Sequence, residues 1–75
     1  MSEERTFADR LNEVMRKRNM TSGMLSIKTG ISERMIRNYR KGTHEPYGYT
    51  LKMVAKGLRV SADWLLGLED ERNDP

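Results

Sequence analysis

Thr21–Gly42, TSGMLSIKTGISERMIRNYRKG, is the stretch whose reading decides the fold. It reads as two short helices joined by a tight turn. Thr21 and Ser22 are both N-cap types, whose side-chain oxygens accept from the free N–H groups of a first turn. A helix over about 22–29 follows, with Leu25 facing inward. Gly30 stops it, since a glycine after a helix takes the positive φ that other residues adopt only at a cost. Ile31 is apolar inside the turn and is expected to plug the gap between the helices. Ser32 caps the second helix, and Glu33 in its first turn suits the positive end of the dipole. That helix is expected to run through Lys41 and to end at Gly42.

On a helical wheel at about 100° per residue, residues 32–41 sort into two faces. Tyr39 and Ser32 fall beside Ile36, with Met35 on the flank. Arg34, Asn38 and Lys41 cluster on the far side, with Arg37 and Glu33 at its edge. The exposed stripe is therefore mostly basic, with one amide. Arginine pairs bidentately with guanine O6 and N7, and asparagine with adenine N6 and N7, so a helix presenting both fits a major groove. A solvated charged face is the bland reading of the stripe alone. The two-helix spacing around Gly30 argues against it.

These residues resemble the helix-turn-helix of phage repressors and Cro proteins, the xenobiotic-response-element type. The resemblance continues in VAKGLRVSADWLLG, Val54–Gly67, which is similar to the family's fourth and fifth helices, and it covers roughly residues 7–67. It implies an all-α fold: a compact, lambda-repressor-like bundle of about five short helices. The DNA-binding domain is then 1–68, with its motif at 21–42. It implies sequence-specific binding of double-stranded operator DNA by a repressor-like transcription regulator of a bacterium or phage. On that reading Arg34, Arg37 and Asn38 read base edges, and Glu33 accepts from cytosine N4. Ser22, Lys28 and Lys41, with the amides opening the second helix, hold phosphates. A domain of this size usually needs a two-fold partner to read both half-sites, so a homodimer is expected on DNA.

The chain departs from the family at several positions. Ser22 and Ser26 stand where glutamine and alanine are frequent. Ser22 can still donate to a phosphate, and the Ser26 hydroxyl can bond back to a helix carbonyl. An arginine late in the first helix commonly pairs with a glutamate late in the recognition helix. Met15 and Arg40 occupy those places here, so that ion pair is absent. Arg40 lies toward the core side of the wheel, to snorkel outward or to find another carboxylate such as Glu13.

Composition bounds the remaining classes. Seventy-five residues make one domain, with a small core. There is no cysteine, hence no disulfide framework and no thiolate metal site. No apolar run approaches a membrane span and MSEERTF is too polar for a signal peptide, so the expected location is the cytoplasm. The formal charge is +3, but it is unevenly spread. Residues 1–68 hold thirteen Lys and Arg against seven Asp and Glu, while Glu69, Asp70, Glu71 and Asp74 crowd the last seven positions. A basic domain with a flexible acidic tail over 69–75 fits a polyanion partner.

Elsewhere the pattern is helical throughout. Thr6 with Asp9 has capping-box spacing, and Phe7, Leu11, Val14 and Met15 recur on one helix face. Arg10, Arg16, Lys17 and Arg18 are expected outside, and Asn19 can take a left-handed C-cap. Met20 is expected to plug the core. Pro46 and Gly48 mark a loop. Tyr47 and Tyr49 either donate hydroxyls to the DNA backbone or pack their rings on the core. Thr50 is expected to cap a fourth helix carrying Leu51, Val54, Ala55 and Leu58. It ends near Arg59, a left-handed position if the cap is of the usual kind. Ser61 caps a fifth helix that buries Trp64, Leu65 and Leu68.

An enzyme is not expected. His44 is the sole histidine, and there is no Gly-rich phosphate loop after a strand and no pair of carboxylates in a plausible pocket. No cofactor or metal is expected. The competing reading is an antitoxin or similar regulator that uses the same fold to bind a protein partner through its tail or fifth helix.

Overall fold

The computed structural model describes residues 5–68, and the expected acidic tail over 69–75 lies outside them. The described residues form α1 (Phe7–Lys17), α2 (Ser22–Thr29), α3 (Glu33–Lys41), α4 (Gly48–Leu58) and α5 (Ala62–Leu65), with no strand among them. The bounds of α2 and α3 are those read from the caps. Thr21 Oγ1 accepts from Met24 N–H at 3.0 Å, and Ser32 Oγ from Met35 N–H at 3.1 Å. Gly30 and Gly42 close the two helices at φ 81° and 86°. At α1 the expected capping box is complete, with Asp9 N–H donating to Thr6 Oγ1 and Thr6 N–H to the Asp9 carboxylate. The Thr6 backbone N–H, and after it the Thr6 side chain, hold the Asp9 carboxyl below its ordinary range.

Four of the five helices end in the same way. An N–H just past the helix reaches back to the carbonyl five residues earlier: Met20 to Met15 (2.8 Å), Thr43 to Asn38 (3.1 Å), Val60 to Ala55 (3.0 Å) and Leu68 to Asp63 (2.8 Å). The residue before each donor takes positive φ, as this closure requires: Asn19, Gly42, Arg59 and Gly67. Asn19 tolerates that region, whereas Arg59 at φ 59° holds it against its Cβ. The end of α2 differs. Gly30 N–H bonds to Ser26 O, and the chain turns at once into α3. Ser26 does not bond back to its own helix as expected; its hydroxyl donates forward to Ile31 O at 2.6 Å. Thr29 makes the backward bond instead, to Leu25 O at 2.8 Å, and its oxygen also accepts from Ile31 N–H. The interhelix turn is thus pinned by three side-chain bonds.

The core is one cluster. Leu11, Val14 and Met15 of α1, Leu25 of α2, Ile36 of α3, Val54 and Leu58 of α4, and Trp64 and Leu65 of α5 are fully buried. Phe7 meets Tyr39 edge-on at 6.5 Å between centroids, which ties the start of α1 to α3. Met20 and Ile31 pack against this cluster as half-buried plugs. α2 and α4 approach closely at Gly57, where a Cβ would lie 2.6 Å from Thr29 Cγ2.

Three expectations about the rest of the chain are corrected. Thr50 does not cap α4. The helix starts at Gly48, and the Tyr47 carbonyl already accepts from Thr50 N–H at 2.9 Å and Leu51 N–H at 3.2 Å, which places Thr50 inside the first turn. Arg10 is not on an outer face but only 7% exposed, with its guanidinium over the Trp64 ring at 5.1 Å. A cation on an indole face loses water and recovers part of that cost from the ring quadrupole. Leu68 is 73% exposed, because α5 is a single turn and the positive φ of Gly67 directs the chain away from the core.

Candidate nucleic-acid interface

α3 carries the two faces that the wheel separates. Its inward side holds Ile36 and Tyr39 in the core, and contact with both α1 and α2 fixes its rotation. With that rotation fixed, Arg34, Arg37 and Lys41 are exposed and Asn38 is half-buried. Glu33 shares the edge with Arg37, and their side chains form an i, i+4 ion pair. The Glu33 carboxylate also lies near the start of α2. A Cβ at Gly23 would stand 3.6 Å from Glu33 Oε1. Both ends of α3 carry a cap: Ser32 Oγ accepts from Met35 N–H, and Gly42 N–H returns to Asn38 O and Tyr39 O.

The residues expected at phosphates do not form one group. Ser22 and Lys41 line an open depression of about 280 Å³ together with Arg37 and Arg40. Ser22 itself is only 7% exposed, and its oxygen accepts from Arg40 Nη1 at 2.9 Å. Lys28 is exposed at the other end of α2, its stem against α4 at Gly57. Tyr47 and Tyr49 are 83% and 71% exposed, which settles against packing of their rings on the core. They stand at the start of α4 and take no part in the depression. His44 is exposed beside Thr43.

Sequence reasoning placed Arg40 on the core side of α3 but missed its partners. Arg40 does not meet Glu13, which pairs with Arg5 and with Lys17 Nζ at 3.2 Å. Arg40 Nε donates to Asn12 Oδ1 at 2.6 Å, and Asn12 Nδ2 returns a bond to Arg40 O at 2.9 Å. One side chain therefore joins α1, α2 and α3. The available signal was its place on the wheel: an arginine next to Ile36 needs polar partners, and Asn12 on α1 and Ser22 at the start of α2 are among the uncharged polar residues on the helices it faces.

The depression and stripe together present Arg34, Arg37, Arg40 and Lys41 against one carboxylate, Glu33. Clustered cations of this kind attract phosphates and raise the encounter rate with a polyanion. Among the described residues there is no group of acidic or histidine side chains able to hold a metal, and no helix long and apolar enough to cross a membrane.

No curated protein matches the chain closely. Among solved structures, the crystal structure of the P22 c2 repressor protein in complex with synthetic operator 9T in the presence of Tl+ is similar, with a TM-score of 0.82 at 24% identity. The superposition covers 88% of this chain and all of that one, so it carries the whole five-helix arrangement. The family model for the Cro/C1-type helix-turn-helix DNA-binding domain matches residues 10–71, from the middle of α1 to past α5. The chain belongs to the Cro/C1-type helix-turn-helix DNA-binding domain family.

Proposed function

We propose that this protein is a repressor-like transcription regulator that reads an operator with the outward face of α3. The observation that carries the reading is the division of α3 itself. Ile36 and Tyr39 lock one side into the core, and the other side is left with Arg34, Asn38 and Arg37, the side chains suited to purine edges. Family membership and the fold shared with an operator-bound repressor support it. Arg34 and Asn38 contact bases in the first two turns. Arg37 and Glu33 work at the edge of the same face, paired in the free protein, with Glu33 accepting from cytosine N4 on DNA. Lys41 and the Ser22 end of α2 hold phosphates. Lys28, Tyr47 and Tyr49 flank this surface and reach backbone phosphates outside the groove.

The protein acts as a symmetric homodimer on DNA. Leu66 and Leu68 at the end of α5 are exposed, and Ala62 is half-buried, which leaves apolar surface for a second copy. Selecting bound duplexes from a random pool tests both parts. The expected result is one short motif repeated in inverted halves, roughly 34–36 Å apart. A pool that enriches no sequence contradicts base reading. A single asymmetric half-site bound by one chain contradicts the dimer.

A further inference from the structure

The geometry points to Arg40 as the residue that seats one operator backbone phosphate in the depression at the start of α2, an assignment that rests on the DNA-binding reading above. Four side chains line this depression: Ser22, Arg37, Arg40 and Lys41. Three are cationic. Arg37 already answers to Glu33, and Lys41 is an exposed chain at the end of α3. Arg40 alone is fixed from both sides, by Asn12 Oδ1 at 2.6 Å and by Ser22 Oγ at 2.9 Å. Those two bonds engage Nε and one Nη1 proton. A guanidinium carries five N–H donors, so the others stay available in a fork of fixed direction.

Position decides what that fork can meet. Arg40 projects on the Ile36 side of the wheel, recessed from the Arg34 and Asn38 stripe, so a base edge in the groove is out of its line. It lies instead against the first residue of α2. The first-turn amides there have no intrahelical acceptor, and Thr21 Oγ1 takes only that of Met24. A phosphate at this place meets backbone N–H groups, the Arg40 fork and the Lys41 ammonium together. The depression is open to solvent, so a phosphate can approach it with part of its hydration in place. Because Asn12 and Ser22 hold the guanidinium in place before DNA arrives, little side-chain freedom is lost when the phosphate binds.

The rival role is purely structural: Arg40 as a brace across α1, α2 and α3. The two differ in salt dependence. Each phosphate neutralised by a cation contributes about one unit to the slope of log K against log salt. Duplex binding is measured across a salt series for the parent, Arg40→Gln, Arg40→Lys and Asn12→Ala, on a selected site and on scrambled DNA. Arg40→Gln is expected to lower the slope by about one unit and to weaken both duplexes by the same factor, leaving the base preference intact. Arg40→Lys and Asn12→Ala keep the charge and are expected to keep the slope. Arg40→Gln at the parental slope overturns the assignment alone, as does loss of base preference in that variant. A parent that binds no duplex overturns the DNA reading and this assignment together. Should Arg40→Gln not fold, the side-chain guanidinium resonances of Arg40 in the parent decide it. They are expected to shift on adding the selected duplex, and unchanged resonances overturn the assignment.

Discussion

The two faces of α3 are made from nine consecutive residues and answer to different physics. The inward face is set by volume and burial: Ile36 is fully buried and Tyr39 nearly so. Its neighbours come from α1 and α2, so its fit depends on the whole bundle. The outward face is set by charge and reach, and its residues have few neighbours within the protein. Arg34 could be changed without any core residue moving, whereas Ile36 could not. A binding helix can thus acquire a new specificity on one side while the other keeps its angle fixed.

Breaking the inward face should have the largest effect. Ile36→Ala removes a fully buried side chain and is expected to cost about 2–5 kcal/mol, a large share of what so small a domain has. Thermal unfolding followed by circular dichroism checks it. A parental melting curve would mean that Ile36 carries little of the packing that orients α3.

The seat beneath the motif should come next. Gly57→Ala puts a Cβ 2.6 Å from Thr29 Cγ2. Alanine favours a helix over glycine by about 1 kcal/mol, so the substitution would stabilise an open site. Thr29 cannot rotate away cheaply, because its hydroxyl bonds Leu25 O and Ile31 N–H. The clash should win, for a net loss of about 1–3 kcal/mol. Denaturant titration gives the sign directly, and a more stable Gly57→Ala variant would show that α2 and α4 are not in close contact there.

A smaller change separates the helix end from its faces. Ser32→Ala deletes the N-cap bond to Met35 N–H and should cost about 1 kcal/mol. Binding at temperatures where the variant remains folded should be unchanged, since no groove-facing side chain is altered. Titration of the selected duplex at low temperature checks this, and a marked loss of affinity there would place Ser32 on the DNA.

The legible parts of the fold are those whose determinants lie close together in sequence. α2 and α3 have Thr21, Gly30, Ser32 and Gly42 at their ends, so their bounds could be read to the residue. The same holds for Asn19 and Arg59, which take the left-handed conformations expected after α1 and α4. What sequence reasoning missed depends on residues far apart in the chain. Arg10 is buried because Trp64 offers it a ring face, and no local period encodes that pairing. Arg40 is held by Asn12 and Ser22, residues of two other helices, and a wheel of α3 alone showed only that it pointed inward. Leu68 looked like core by composition. Its exposure follows from a backbone reversal at Gly67 that closes a one-turn helix. The site shows the same division: the stripe of Arg34, Asn38 and Lys41 was legible from spacing, whereas the floor beneath Lys41 was not.

The most direct test of the claim that the outward face reads sequence compares Arg34→Ala, Asn38→Ala and Lys41→Ala. Affinity is measured for a selected duplex and a scrambled one across a salt series. Arg34→Ala and Asn38→Ala should each lose about 1–3 kcal/mol on the selected site only, relaxing preference at one base pair. Lys41→Ala should weaken both duplexes alike and lower the salt slope by about one unit. Equal losses on both duplexes for Arg34→Ala and Lys41→Ala would contradict the account, leaving α3 a charged surface that binds any polyanion.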